Sequence, residues 1–205
     1  MAHSLSSMDE QKIDIFREIG NIGAARAAGA LAGILDRPIR MSVPDVEIVP
    51  FNSIVNLMHG PETLVVGLLV DMKGDLNGFI LMVLEVQEAK DMASLAIGEM
   101  DNSENLSELE RSALEEIMNI LVGSFLNAIG EMTGFSVRPA VPQLAVDMAG
   151  AIVSVATIEY GEIGDSVLFL KTQFFDVDKE LGGQFFLIPD YKSCELLVKT
   201  LMGEA

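Results

Sequence analysis

Glu18, Asn21 and Pro44 recur at identical spacing as Glu116, Asn119 and Pro142, so one pattern is written into this chain twice, 98 residues apart. Each copy reads Glu-x2-Asn-x22-Pro, with a small polar residue four positions before the Glu: Asp14 in the first, Ser112 in the second. At about 5% usage for each residue type, one such match arises by chance at roughly one start position in ten thousand. Two matches imply duplication, and a period near a hundred residues restricts the fold to two related halves.

The duplication reaches beyond the motif. Leu76-Asn77-Gly78-Phe79 has a counterpart in Leu181-Gly182-Gly183-Gln184, and Gly98-Glu99 returns as Gly203-Glu204, both 105 residues on. The second copy has therefore gained about seven residues between its Pro and its hairpin, most simply as a surface loop at 159–166. Within 205 residues this fits a single domain, 1–205, made of two half-repeats, about 9–100 and 107–205, that share a core.

The net charge of −18 argues against a nucleic-acid role, because phosphate neutralisation requires a basic face. An anionic membrane surface is disfavoured for the same reason. No charged segment followed by an apolar one opens the chain, and its apolar runs are too short or too rich in Gly to span a bilayer, so a cytoplasmic protein is expected. Cys194 is the single cysteine and reads as a buried, inert thiol of a terminal helix. His3 and His59 lack neighbours at zinc spacing, and no metal site is assigned.

The pattern predicts a helix from 9 to about 35, with Phe16, Ile19, Gly23, Ala27, Ala30 and Ile34 on one apolar face. Its Gly- and Ala-rich second half would let another helix or a sheet approach closely, and two related helices side by side would suit that. Candidate strands follow at 39–43 and 46–50, then 64–72 and 78–86 flank a turn-rich hairpin, and 87–99 is helical again. A polar joint at 101–105 separates the halves, and Ser107 with Glu110 forms a capping-box signature. The second half predicts a helix from 107 to about 132, a short strand at 135–137, and an apolar run from 144 to about 155 that is helix or strand. A hairpin of 167–175 with 183–189 and a closing helix over 191–202 complete it.

At 100° per residue, Asp14, Glu18 and Asn21 fall within about 60° of one another, as do Ser112, Glu116 and Asn119. Each trio forms a polar ridge opposite the apolar face, so it faces solvent or a partner. Solvation alone does not explain why the same two residue types return at the same offset in helices that differ at Gly20 against Met118 and Gly23 against Leu121. Pro44 and Pro142 read as residues that end a strand near each helix. An exposed carboxylate one turn from a carboxamide is too little for stand-alone catalysis, but it could complete a site elsewhere. A carboxamide accepts one water proton and donates to another oxygen, which orients water for in-line attack on phosphorus, as the glutamine of GTPases does.

This doubled motif resembles that of the CheC phosphatases of chemotaxis, a family whose relatives include CheX and FliY. The flanks Glu18-Ile19-Gly20-Asn21-Ile22-Gly23, Val43-Pro44-Asp45-Val46 and Val141-Pro142-Gln143-Leu144 look like the family's own. The resemblance implies an α+β fold, a tandem pseudo-twofold repeat with an antiparallel sheet and the two motif helices packed side by side. It implies a phosphorylated CheY-type response regulator as substrate, with Asn21 and Asn119 positioning water against its aspartyl phosphate and Glu18 and Glu116 pairing with its lysine. Mg2+ would belong to the substrate, and the protein would need no cofactor of its own. It further implies a CheD partner, met by the segment after the second Pro, where Asp147 is the candidate contact. The alternative is a non-catalytic adaptor that holds CheD or the flagellar switch. A small-molecule enzyme would require a pocket of convergent polar groups, which the sequence does not reveal.

Overall fold

A computed structural model of the chain describes residues 10–42, 45–50, 53, 55, 60–98, 103, 105–160, 166–176 and 179–203. Helix α1 (Glu10–Leu35) leads into the short strands β1 (Ile39–Met41) and β2 (Asp45–Pro50). The hairpin β3 (Leu64–Gly74) and β4 (Gly78–Glu85) and helix α2 (Val86–Ile97) complete the first half. The second half runs α3 (Glu108–Thr133), β5 (Val137–Pro139), β6 (Gln143–Met148), α4 (Ala149–Tyr160), β7 (Ser166–Asp176), β8 (Lys179–Pro189) and α5 (Tyr191–Met202).

Local chemistry explains where the helices begin and end. The Ser107 hydroxyl accepts from the Glu110 N–H while the Glu110 carboxylate accepts from the Ser107 N–H at 2.7 Å, so the predicted capping box starts α3. Glu85 and Glu88 form a second box at α2, which the sequence reading did not identify. Gly98 and Gly203, the repeated glycines, close α2 and α5 in the left-handed conformation at φ 81° and 72°. That is the physical reason this pair survives in both copies.

Among the described residues, eight strands form one sheet in the order β1-β7-β8-β4-β3-β5, with β2 also paired to β7 and β6 to β3, and every pairing is antiparallel. The halves exchange segments. Strands β1 and β2 of the first half lie on β7 of the second, and β5 and β6 of the second lie on β3 of the first.

The register also locates the extra residues of the second half. Asp45 pairs with Lys171, and Gln143, its equivalent 98 residues on, pairs with Leu69, which makes Leu69 and Lys171 equivalent at a spacing of 102. About four of the seven added residues therefore precede β7. The other three lie in the longer β7–β8 hairpin, whose register shifts twice near Phe174. The single loop at 159–166 accounts for only part of the gain, and 161–165 lie outside the described residues.

Strand β4 is buried along nearly its whole length because the sheet is covered on both faces. Ile80, Met82 and Leu84 point to a core shared with Phe16, Ile19 and Leu31 of α1, Leu114, Leu121 and Phe125 of α3, and apolar residues of α2 and α5. Phe79, Leu81 and Val83 point to a second cluster with Phe186, Ile188 and, from α4, Ala149 and Val153. By length and composition alone α3 could cross a membrane, which departs from the expectation that no segment could. Most of its apolar residues from Leu114 to Ile129 are core residues of this fold.

Two other expectations shift. The short strand expected at 135–137 is β5, two residues later, because Gly134 ends α3 in the left-handed conformation and Thr133 then holds the Phe135 N–H. The undecided run from 144 is both strand and helix, β6 giving way to α4 at Ala149. The first N–H groups of α4, of Ala149 and Gly150, donate to the carbonyls of Thr63 and Pro61.

Candidate functional site

The motif residues occupy the outward sides of α1 and α3, because the opposite sides are consumed by the core. Phe16, Ile19 and Gly23 are buried, and so are Leu114, Ile117 and Leu121. Asp14 and Glu18 are exposed and Asn21 half-buried, while Ser112, Glu116 and Asn119 are all exposed. Each helix thus carries a carboxylate and, one turn later, a carboxamide on an accessible ridge.

The two helices pack against each other through a pair of residues of opposite size. A Cβ built on Gly23 would fall 2.4 Å from the Phe125 ring, so the glycine is the space that the ring occupies. This is the close helix approach that the Gly-rich half of α1 led one to expect. Phe125 in turn lies against Phe185 of β8, with ring centroids 5.7 Å apart. At the surface the Arg26 guanidinium reaches from α1 to the Glu131 carboxylate of α3 at 2.6 Å. The amides therefore stand on two helices fixed to one another and to the sheet.

Among the described residues, the side chains of Glu18, Asn21, Glu116 and Asn119 are engaged in no hydrogen bond or ion pair. All four are available to something outside the chain. Around them the copies diverge: Asp14 is held in an ion pair by Arg17, whereas the equivalent positions in α3 are Ser112 and Glu115. The sequence reading passed over Arg17 and Glu115, although laying the copies over one another at an offset of 98 shows the charge reversal.

Pro142 is buried and stands immediately before β6, in the gap after β5. It leads into a strand rather than ending one, since β5 already stops at Pro139. Pro44 lies outside the described residues. Asp147 is exposed on β6 opposite Val65, and its carboxylate accepts from the Met148 N–H at 2.7 Å, just ahead of α4. It also rims a small groove of about 110 Å3 lined by Gly67, Leu69, Leu81, Ile152 and Val155.

A polar groove that the sequence did not reveal runs beside the helix pair. It has a volume of about 680 Å3 and is lined by Arg26, Ser124, Asn127, Glu131 and Ser136 among others. None of the motif residues lines it, and its two charged groups are satisfied by each other. Cys194 is buried, and burial, aided by Asp190 and Glu195, pushes its thiol up to about 12, which leaves it no nucleophilic role.

The arrangement, two accessible Glu–Asn pairs with no cysteine or histidine beside them among the described residues, can order a water or a partner's side chain. Comparison with known proteins agrees with the doubled layout. The sequence model of the CheC-like family matches residues 12–48 and 109–146, one segment in each half. The CheY-P phosphatase CheC of Bacillus subtilis is 35% identical over 201 residues, 96% of each chain. The flagellar motor switch phosphatase FliY of the same organism is 30% identical over 122 residues, 58% of this chain and 32% of that one. Among solved structures, Thermotoga maritima FliY superimposes with a TM-score of 0.77 over 97% of this chain and all of that one, at 20% identity, a likeness of fold.

Proposed function

The chain belongs to the CheC-like family, and from that premise we propose that it is a phosphatase of a phosphorylated CheY-type response regulator in chemotaxis. A single domain of two half-repeats carries two sites, Glu18 with Asn21 and Glu116 with Asn119. In each, the regulator supplies the aspartyl phosphate, the Mg2+ bound there and a lysine. The lysine pairs with the Glu carboxylate, which fixes where the helix docks. The amide one turn on enters the regulator's site, accepts a hydrogen bond from the attacking water and holds the water's oxygen in line with the phosphorus. The observation that carries this reading is that both Glu–Asn pairs are accessible and, among the described residues, engaged by no partner, on helices whose other side is core.

Water attacks phosphorus, the bond to the aspartyl oxygen breaks, and inorganic phosphate and the free carboxylate result. The amide donates and accepts hydrogen bonds but gains no covalent bond, so the enzyme contributes positioning. The second reading is an adaptor that holds CheD or the flagellar switch, and the exposed Asp147 beside an apolar groove is the feature that favours a further docking surface there. Asn119→Ala in a protein already carrying Asn21→Ala separates the two. A phosphatase loses phosphate release and keeps its affinity for the regulator, whereas an adaptor shows no release to lose.

A further inference from the structure

The two ridges are alike at the motif and opposite beside it. Arg17 stands four residues before Asn21, and Glu115 stands four residues before Asn119, so each is the amide's neighbour one helical turn back. By position along the helix the charged residues nearest the first amide are Arg17, whose guanidinium is turned onto Asp14, and Glu18. Those nearest the second are two carboxylates, Glu115 and Glu116. Glu10 and Glu108 match at the start of each ridge.

The other charged groups nearby do not undo the difference. Asp14 pairs with Arg17 and offsets its charge, which among the described residues leaves Glu18 as the unpaired charge beside the first amide against two carboxylates, Glu115 and Glu116, beside the second. Arg111, where α1 has Ile13, lies eight residues before Asn119, and among the described residues its side chain makes no ion pair with Glu115. Lys12 lies off the ridge on the far side of α1, and Glu110, its equivalent, is buried and spent on the Ser107 cap. At physiological ionic strength the screening length is about 8 Å, so charge one turn from the amide outweighs charge two turns away.

Resting on the phosphatase reading, we propose that residues 17 and 115 are specificity determinants that give the two sites different partners. The α3 site, with two adjacent carboxylates, selects regulators whose rim beside the phosphorylated aspartate is basic. The α1 site, with a carboxylate and a guanidinium, selects regulators that set an acidic residue beside their lysine. Any one regulator therefore meets one matched and one mismatched site. Asp14 keeps the guanidinium extended along the helix until an acidic partner competes for it.

The test uses single-site proteins, Asn119→Ala to report on α1 and Asn21→Ala to report on α3, each with its charge reversed by Arg17→Glu or Glu115→Arg. With one phosphorylated CheY-type regulator at low ionic strength, the reversals shift KM in opposite directions by about three- to tenfold, leave kcat within about twofold, and lose their effect as salt rises. Shifts in the same direction, no shift, or a fall in kcat alone overturn the proposal. Inactivity of both parent proteins would count against the phosphatase reading instead. Direct binding of the phosphorylated regulator to the same four proteins then still decides the charge effect, by the same opposite shifts in Kd or their absence.

Discussion

Leu81 of β4 and Phe186 of β8 occupy equivalent places in the two halves, 105 residues apart, and they pair with each other at the centre of the sheet. The local twofold passes between them, normal to the sheet, since only that axis exchanges two neighbouring antiparallel strands. Rotation about a normal keeps an element on its own face. Both motif helices therefore cover the same face, and that face must hold two helices of 26 residues in mutual contact.

That contact makes Gly23 indispensable. Gly23→Ala gains about 1 kcal/mol of helix propensity, but its methyl group meets a Phe125 ring that Phe185 prevents from retreating. A net loss of about 1–3 kcal/mol is expected in urea denaturation. Adding Phe125→Leu should recover part of it, and a Gly23→Ala protein as stable as wild type would refute the packing argument.

The capping box at the start of α3 should be worth about 1 kcal/mol to the fold. Ser107→Ala leaves the Glu110 N–H without its acceptor and the buried Glu110 carboxylate with one fewer donor. The denaturation midpoint should fall without a change in slope. Ser107→Asp, which keeps an acceptor but sets a second charge beside Glu110, should recover less than Ser107→Thr.

Arg26 makes the opposite case. Its bridge to Glu131 joins the two motif helices, yet both side chains are more than half exposed, at 56% and 60%. Arg26→Ala should cost less than about 1 kcal/mol, and any loss should vanish in high salt. A larger, salt-insensitive loss would show the bridge to be structural.

The repeat made much of this architecture legible in advance. Capping and turn chemistry is local, so α1, α3, both hairpins and α5 follow from residues such as Ser107 and Gly203 that act within one turn of themselves. Strand β5 was displaced because Phe135 looks like a strand residue, whereas Gly134 and Thr133 shape the chain there. Applying the offset of 98 to Ile39–Met41 gives Val137–Pro139 directly. The exchange of β1 and β2 for β5 and β6 was not legible, because pairing to the other half leaves the same alternation as pairing to one's own. In the site, Glu and Asn announced themselves by recurring. Arg17 and Glu115 did not, because a difference between copies carries no weight until the ridge is known to be accessible.

Cys194 gives a pH prediction. Its thiol is raised from 9.0 to about 12, so the folded state holds a proton that the unfolded chain releases above pH 9. Stability contributed by the neutral thiol is thus complete below pH 9 and is lost as pH rises from there toward 12. In native protein at pH 8 the thiol should react with a disulfide reagent only through unfolding, and Cys194→Ala should flatten the alkaline fall in stability. Rapid labelling of folded protein would contradict its burial.

The most direct test of the central claim is the lifetime of a phosphorylated CheY-type regulator, in Mg2+, with wild-type protein, Asn21→Ala, Asn119→Ala and the double variant. Two amide sites predict accelerated phosphate loss with wild type, partial acceleration with each single variant, and a fall of about 10²- to 10³-fold with the double variant while regulator binding persists. An unchanged lifetime with wild-type protein that nonetheless binds the regulator, or full activity in the double variant, would contradict it.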